Sequence, residues 1–101
     1  MKLIWSRDAL DDLKAQVAFI AAENPAAAQR VAEVIGDAAG ALSEIPTGRP
    51  GRVTETYEKS VMQLPYIIAY AITASAAGES IVILRVIHTA RDWPADQWPE
   101  I

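Results

Sequence analysis

The chain of 101 residues contains one histidine. His88 lies in VILRVIHTARDWP, residues 82–94, three residues after Arg85 and three before Arg91. An imidazole titrates near neutral pH and serves as a general acid or base, while guanidinium forks hold phosphates and carboxylates. The segment therefore has two readings. In one, His88, Arg85 and Arg91 form a cation-and-imidazole surface for RNA chemistry or for an acidic partner. In the other, these polar residues mark the place where a buried strand emerges into water. On a strand, Arg85, Ile87 and Thr89 share one face and Val86 and His88 the other, so Arg85 and His88 need not act together.

A second pair of arginines, Arg49 and Arg52, flanks Pro50-Gly51. They read either as a solvated turn or as an anion-binding rim beside a sheet. Tyr66 and Tyr70, four apart on a strand, share a face and are expected to pack there with their hydroxyls at the surface. Other chemistry is poorly supplied. One histidine, no cysteine and scattered carboxylates give no metal-ligand spacing. GRPG at 48–51 is a turn, not a phosphate-binding loop, and no serine sits in a nucleophile-elbow context. No metal and no cofactor is expected.

The elements that must position these residues follow from periodicity. Lys2 to Trp5 reads as a short strand. Ser6 or Asp8 can cap the helix that follows, in which Ala9, Leu13, Val17 and Ile20 recur at helical spacing and Asp11, Asp12 and Gln16 take the solvated face. Asn24-Pro25 ends that helix and starts a second, with Ala28, Val31, Ala32, Ile35, Ala39 and Leu42 as its apolar stripe. The short connection predicts an antiparallel helical hairpin. After Ile45, the segment PTGRPG is the clearest break in the chain.

Beyond the break the period becomes two. Val53, Glu55 and Tyr57 alternate with Arg52, Thr54 and Thr56, predicting a strand. Pro65 implies a turn or an edge. The runs 66–73 (YIIAYAIT) and 81–87 (IVILRVI) predict a hairpin of central strands joined through ASAAGES. The whole is an α+β fold in the order β-α-α-β-β-β: an N-terminal strand and a helical hairpin packed on an antiparallel β-sheet, one domain spanning residues 1–101. The tail, with Trp93-Pro94 and Trp98-Pro99, cannot continue a strand. It is expected to fold its tryptophans back on the body or to await a partner.

The net charge is −4, which counts against broad phosphate-backbone binding and so against direct DNA binding. The charge is uneven. Residues 1–46 hold four basic and seven acidic side chains, net −3, whereas residues 47–91 hold five basic and three acidic, net +2. The mildly basic second half suits an acidic partner. The absence of cysteine fits a reducing cytoplasm. No signal peptide and no membrane span are expected, because no apolar run reaches the ~20 residues a bilayer requires.

The segments GRPGRVTETYE, LPYIIAYAI and ILRVIHTARDWP, in that order after a helical hairpin, resemble the RelE/ParE superfamily of bacterial type II toxin–antitoxin modules, over essentially the whole chain. The opening LIWSRDALDDLKAQVAFIA resembles that family's beginning. The resemblance implies a small cytoplasmic toxin that inhibits growth and is wrapped by a cognate antitoxin, in a heterotetramer or larger assembly. Two activities divide the family: RelE-like members cut mRNA on the ribosome, and ParE-like members inhibit DNA gyrase by protein–protein contact. Three features point to the ParE-like branch. The chain is acidic. Leu64-Pro65-Tyr66 stands where the nucleases carry an arginine. The tail reads Asp92-Trp93-Pro94 rather than a basic, tyrosine-bearing ending. On this reading Arg49, Arg52, Arg85, His88, Arg91 and Trp93 contact partners. On the RelE-like alternative, His88, Arg85 and Arg91 are catalytic. Relatives sharing the GRPGRV pattern often have arginine where this chain has Tyr57, so an inactive homologue that retains only antitoxin binding is a third reading.

Overall fold

The computed structural model describes residues 1–89; Arg91 and Trp93 lie outside the described residues. Strand β1 (Lys2–Trp5) leads into helix α1 (Arg7–Ala21), and α2 (Pro25–Glu44) follows after a short turn. A two-residue strand β2 (Arg49–Pro50), then β3 (Tyr57–Ser60), β4 (Tyr66–Ser75) and β5 (Gly78–His88) complete the order. Both helix starts are capped as their sequences predict. Ser6 Oγ accepts from Ala9 N and Asn24 Oδ1 accepts from Ala27 N, each at 3.1 Å, satisfying backbone donors that a first turn leaves open.

The five strands form one sheet in the order β1-β5-β4-β3-β2. Four strands pair antiparallel in sequence order. The N-terminal strand instead pairs parallel with the last, Lys2 to Trp5 against Ser80 to Ile83. The helical hairpin serves as the crossover that a parallel pairing requires. The β4–β5 hairpin turns more tightly than its sequence suggests, through Ala76-Ala77 into Gly78, whose φ of +114° suits a residue without Cβ.

The alternation at 52–57 does not make the predicted strand. Residues 52–56 form a bend and turn, and pairing begins only at Tyr57. The turn is fixed by Gly51 N–H donating to Thr56 O at 2.8 Å and by the Thr56 hydroxyl donating to Val53 O. A Cβ at Gly51 would run into the Thr56 side chain and carbonyl. Pro50 sits on the outermost strand, where a missing N–H costs no interior pairing.

The core lies between the helices and one sheet face. Ala9, Ile35, Ala39 and Leu42 meet Tyr66, Ile68, Tyr70, Ile81, Ile83 and Val86, with Leu3, Trp5 and Leu13 at the margin. A smaller cluster on the opposite face joins Ala69 and Ile87 to Val53 and Ile67. The change of odd and even positions along β5 has a local cause. The register slips at Ala69/Tyr70, where Ala69 opposes Arg85 and Tyr70 opposes Ile83. Leu84 is the extra residue of a β-bulge. Ile81 and Ile83 face the helices before the bulge; Val86 does so after it.

Candidate functional site

The sheet register lines up Arg49, Glu58, Ala69 and Arg85 as direct cross-strand partners from the β2 edge inward. Cross-strand partners share a face, so two of the sequence-predicted positions, Arg49 and Arg85, belong to one ladder, on the side of Ala69 and Ile87. Arg52 joins it from the turn. Its Nε donates to Glu58 Oε2 at 3.0 Å, its Nη2 to Oε1 at 3.2 Å, and its backbone N–H to Oε2 at 2.9 Å. Arg49 stands farther off, with Nη2 3.8 Å from Glu58 Oε1, and its Nη1 donates to Ser60 Oγ at 3.3 Å. The Arg49 side chain is 58% exposed, whereas Glu58 is buried.

Glu58 is thus a buried carboxylate satisfied by a guanidinium fork and a backbone amide. The hydrogen bond from the Arg52 side chain leads in holding its carboxyl below the ordinary value; burial opposes that lowering and the Arg52 backbone bond and charge add to it. The arginine pair flanking Pro50-Gly51 is therefore asymmetric. Arg52 is held against its own chain's carboxylate, and Arg49 is the more solvent-facing cation at the rim.

Arg85 is anchored as firmly. Its Nε and Nη2 donate to the two carboxylate oxygens of Asp12, both at 2.8 Å, and Asp12 Oδ2 also accepts from Val86 N–H at 2.9 Å. The side chains are 14% and 13% exposed. The hydrogen bond to Asp12 leads in raising the Arg85 pKa, against the effect of burial. This pairing corrects the reading of Asp12 as a solvated helix residue. β1 pairs only with residues 80–83 of β5. Past that point α1 covers the strand: Ser6 N–H donates to Ile83 O, Ser6 Oγ to Leu84 O, and Asp12 takes the Val86 amide. Asp12 stands in for a missing neighbouring strand. Its helical neighbour Asp11 is exposed, and periodicity alone does not separate the two; a signal was available in the need of a near-core arginine for a carboxylate.

His88 lies on the other face. It follows Val86 at strand spacing and stacks edge-on against Tyr66, with ring centroids 5.3 Å apart. The two line a groove of about 550 Å³ with Ala15, Gln16, Phe19, Ile20 and Val31 of the hairpin and Leu64 and Pro65. No lysine or arginine is among the described residues lining it. Phe19 is 81% exposed. The structure therefore separates His88 from Arg49, Arg52 and Arg85, as strand alternation allowed.

The tyrosines share a face as predicted, but their hydroxyls are not at the surface. Tyr66 and Tyr70 are both buried. The Tyr70 hydroxyl donates to Thr47 O at 3.0 Å and its ring stacks on Tyr57 at 5.5 Å. Burial, with a smaller contribution from Tyr57, pushes its pKa up. Tyr66 Oη lies 3.4 Å from Gln16 Oε1. Among the described residues no group of three or more His, Cys, Asp or Glu is placed to hold a metal ion, and no helix is long and apolar enough to cross a membrane.

This geometry has relatives. A family model described as the ParE toxin of the type II toxin–antitoxin system, parDE, matches residues 3–93. A putative toxin, Y4kP, of Sinorhizobium fredii is 39% identical over 94 residues, covering 92% of this chain and 93% of that one. Toxin RelE2 of Caulobacter vibrioides is 36% identical over 90 residues, covering 89% and 97%. Among solved structures, one described as the chromosomal ParDE TA system from P. aeruginosa superposes with a TM-score of 0.78 at 24% identity, over 87% of this chain and 95% of that one. A YoeB/ParE toxin from Agrobacterium tumefaciens superposes at 0.60 and 16% identity, over 87% and 98%. These two likenesses show the fold.

Proposed function

Because the chain belongs to the ParE toxin family of type II toxin–antitoxin systems, we propose that it acts on the ParE-like side of its superfamily, inhibiting DNA gyrase by protein–protein contact. It works in the cytoplasm, arrests growth, and is neutralised by a cognate antitoxin. The observation that carries this reading is the separation, among the described residues, of the lone imidazole from Arg49, Arg52 and Arg85. Phosphodiester cleavage needs cations at the phosphate beside the acid or base. Here His88 lines an apolar groove, while Arg52 and Arg85 are held by Glu58 and Asp12 in the ladder of the other face. A surface of that kind recognises other proteins rather than turning over a nucleic acid.

In this reading Arg49, Arg52 and Arg85, with Arg91, form the partner-facing array. Arg49 meets the partner directly; Arg52 and Arg85 keep the ladder in shape. His88 lies on the groove side, and Trp93, outside the described residues, is a further partner contact. The antitoxin is an acidic segment that orders as it covers apolar area and neutralises the array, as coupled folding and binding does. The toxin and antitoxin assemble as a heterotetramer or larger hetero-oligomer.

The test is a supercoiling assay with the purified chain. Inhibition of gyrase that added antitoxin reverses supports the proposal. No inhibition at excess toxin, together with ribosome-dependent mRNA cleavage, overturns it in favour of a RelE-like ribonuclease. That second reading has one observation on its side: a relative named RelE2 is 36% identical over 89% of the chain. A chain without effect in either assay that still binds antitoxin is the inactive homologue.

A further inference from the structure

The two edges of the sheet are guarded unequally. At one end β2 is two residues long and carries Pro50, which blunts a strand edge. At the other end β1 has four residues, and among the described residues no strand lies beyond it. The phase of its pairing is fixed. β1 runs parallel to β5 with Leu3 opposite Ile81 and Trp5 opposite Ile83, and Ser6 N–H donates to Ile83 O at 3.0 Å. Lys2, Ile4 and Ser6 therefore direct their backbone groups at β5, while Leu3 and Trp5 direct N–H and C=O outward. The side chains of Leu3 and Trp5 pack with the core on the helix side, so Lys2 and Ile4 face the other way. Ile4 is 39% exposed, an apolar β-branched side chain on an open edge.

We propose that this edge pairs with its own counterpart in a second copy of the chain, antiparallel about a two-fold axis at Ile4. The register selects itself. With Leu3 of one copy opposite Trp5 of the other, every outward N–H of the pair donates to an outward carbonyl. A shift one way sets Leu3 opposite itself and Trp5 against Met1, whose amine is already given to Ser43 O. A shift the other way sets Trp5 opposite itself and Leu3 against Arg7, which is helical. In the favoured register Ile4 meets Ile4 as a non-hydrogen-bonded pair, the type with the closest side chains, and its apolar surface leaves water. Lys2, the one charge on the strand, lies opposite Ser6 and not against its like. Such an interface is isologous and closed. Both helical hairpins then lie on one side of a continued sheet and both arginine ladders on the other. The contact is short, so the dimer is weak and reversible.

The test is amide exchange followed by NMR on the full chain from micromolar to millimolar concentration, with sedimentation for mass. In the dilute chain Ile4 and Ser6 should be protected, and Leu3 and Trp5 should exchange freely. As the mass rises toward that of a dimer, Leu3 and Trp5 should lose their free exchange. Ile4→Lys sets two ammonium groups together at the axis, and Ile4 lies outside both core clusters. That variant should stay monomeric, with both amides free at every concentration. A wild-type chain that stays monomeric overturns the proposal, as does a dimer that leaves Leu3 and Trp5 unprotected or survives Ile4→Lys. Protection that appears only when antitoxin is added also overturns it, and gives the edge to an antitoxin strand.

Should Ile4→Lys unfold the chain, the absence of cysteine offers another measurement. Ile4→Cys should link two copies on mild oxidation much faster than Lys2→Cys, whose thiol would lie opposite Ser6. Equal rates refute the pairing.

Discussion

Asp12 accepts three hydrogen bonds from β5, two from the Arg85 guanidinium and one from the Val86 amide, and so joins the first helix to the last strand across 73 residues of sequence. Removing one member of a well-buried ion pair leaves the other charge desolvated and alone, which commonly costs about 3 kcal/mol or more. Asp12→Ala should therefore lower the urea midpoint strongly with the m-value unchanged. In a double-mutant cycle with Arg85→Ala the two effects should be far from additive, with a coupling of roughly 1–3 kcal/mol. Additive effects would mean that the pair is geometry without energy.

Glu58 predicts the acid limb of the stability curve. Its folded pKa lies below the ordinary value of 4.5, so its contribution is fully present above pH 4.5 and drains away as pH falls through the lowered folded value. Urea unfolding followed from neutral pH downward should show this loss. Glu58→Gln should be less stable at pH 7, by about 1–3 kcal/mol for weakened bonds to a buried site, and should lose less than wild type on acidification.

The two arginines of the 49–52 segment should behave differently. Arg52→Ala removes the fork that satisfies a buried carboxylate and should cost about 1–3 kcal/mol of stability. Arg49→Ala removes an exposed and distant ion-pair member and should cost no more than about 1 kcal/mol. If Arg49 faces the partner, Arg49→Glu should weaken antitoxin binding and flatten its salt dependence while the melting temperature barely moves.

His88→Ala tests the reading of the imidazole. With a packing role against Tyr66, its loss should cost about 0.5–1.5 kcal/mol and leave growth arrest and gyrase inhibition in place. Abolished growth arrest with intact antitoxin binding and an unchanged fold would instead point to catalysis.

Gly48 should resist substitution for a reason unconnected to any partner. A Cβ there would lie 2.7 Å from the Tyr70 hydroxyl and 3.1 Å from Glu58 O. Gly48→Ala should break the Tyr70–Thr47 hydrogen bond and cost about 1–3 kcal/mol, as overpacking does. Tyr70→Phe, which removes the obstructing oxygen, should partly rescue it.

Sequence periodicity was sufficient for the helical hairpin, because both helices carry an apolar stripe and an oxygen-bearing cap. It was sufficient for the β4–β5 hairpin too, where two apolar runs face each other. It failed at 52–57, where alternating residue types imitate a strand but Gly51 and Thr56 close a turn. It failed at Asp12, since helical spacing reports which side faces the core and not which residue meets a strand edge. The bulge at Leu84 is also silent in the sequence, because an extra residue shifts the facing pattern without changing composition. Strand alternation did part Arg85 from His88, but the carboxylates that claim Arg52 and Arg85 arrive from distant or turn-borne positions that no local pattern connects.

The parallel seam between residues 2–5 and 80–83 has a bearing on how the molecule comes into being. Translation delivers the two partners of that seam, Lys2 and Ser80 among them, 78 residues apart, and contacts so remote in sequence are slow to form. The helical hairpin is on hand early, while the first strand waits unpaired for the last. A ribosome stalled before the final strand thus releases a product without the arginine ladder's inner end or the histidine-bearing wall. The ladder and the groove are therefore complete only once the last strand has docked, so an antitoxin made alongside meets these surfaces after that step and not before it.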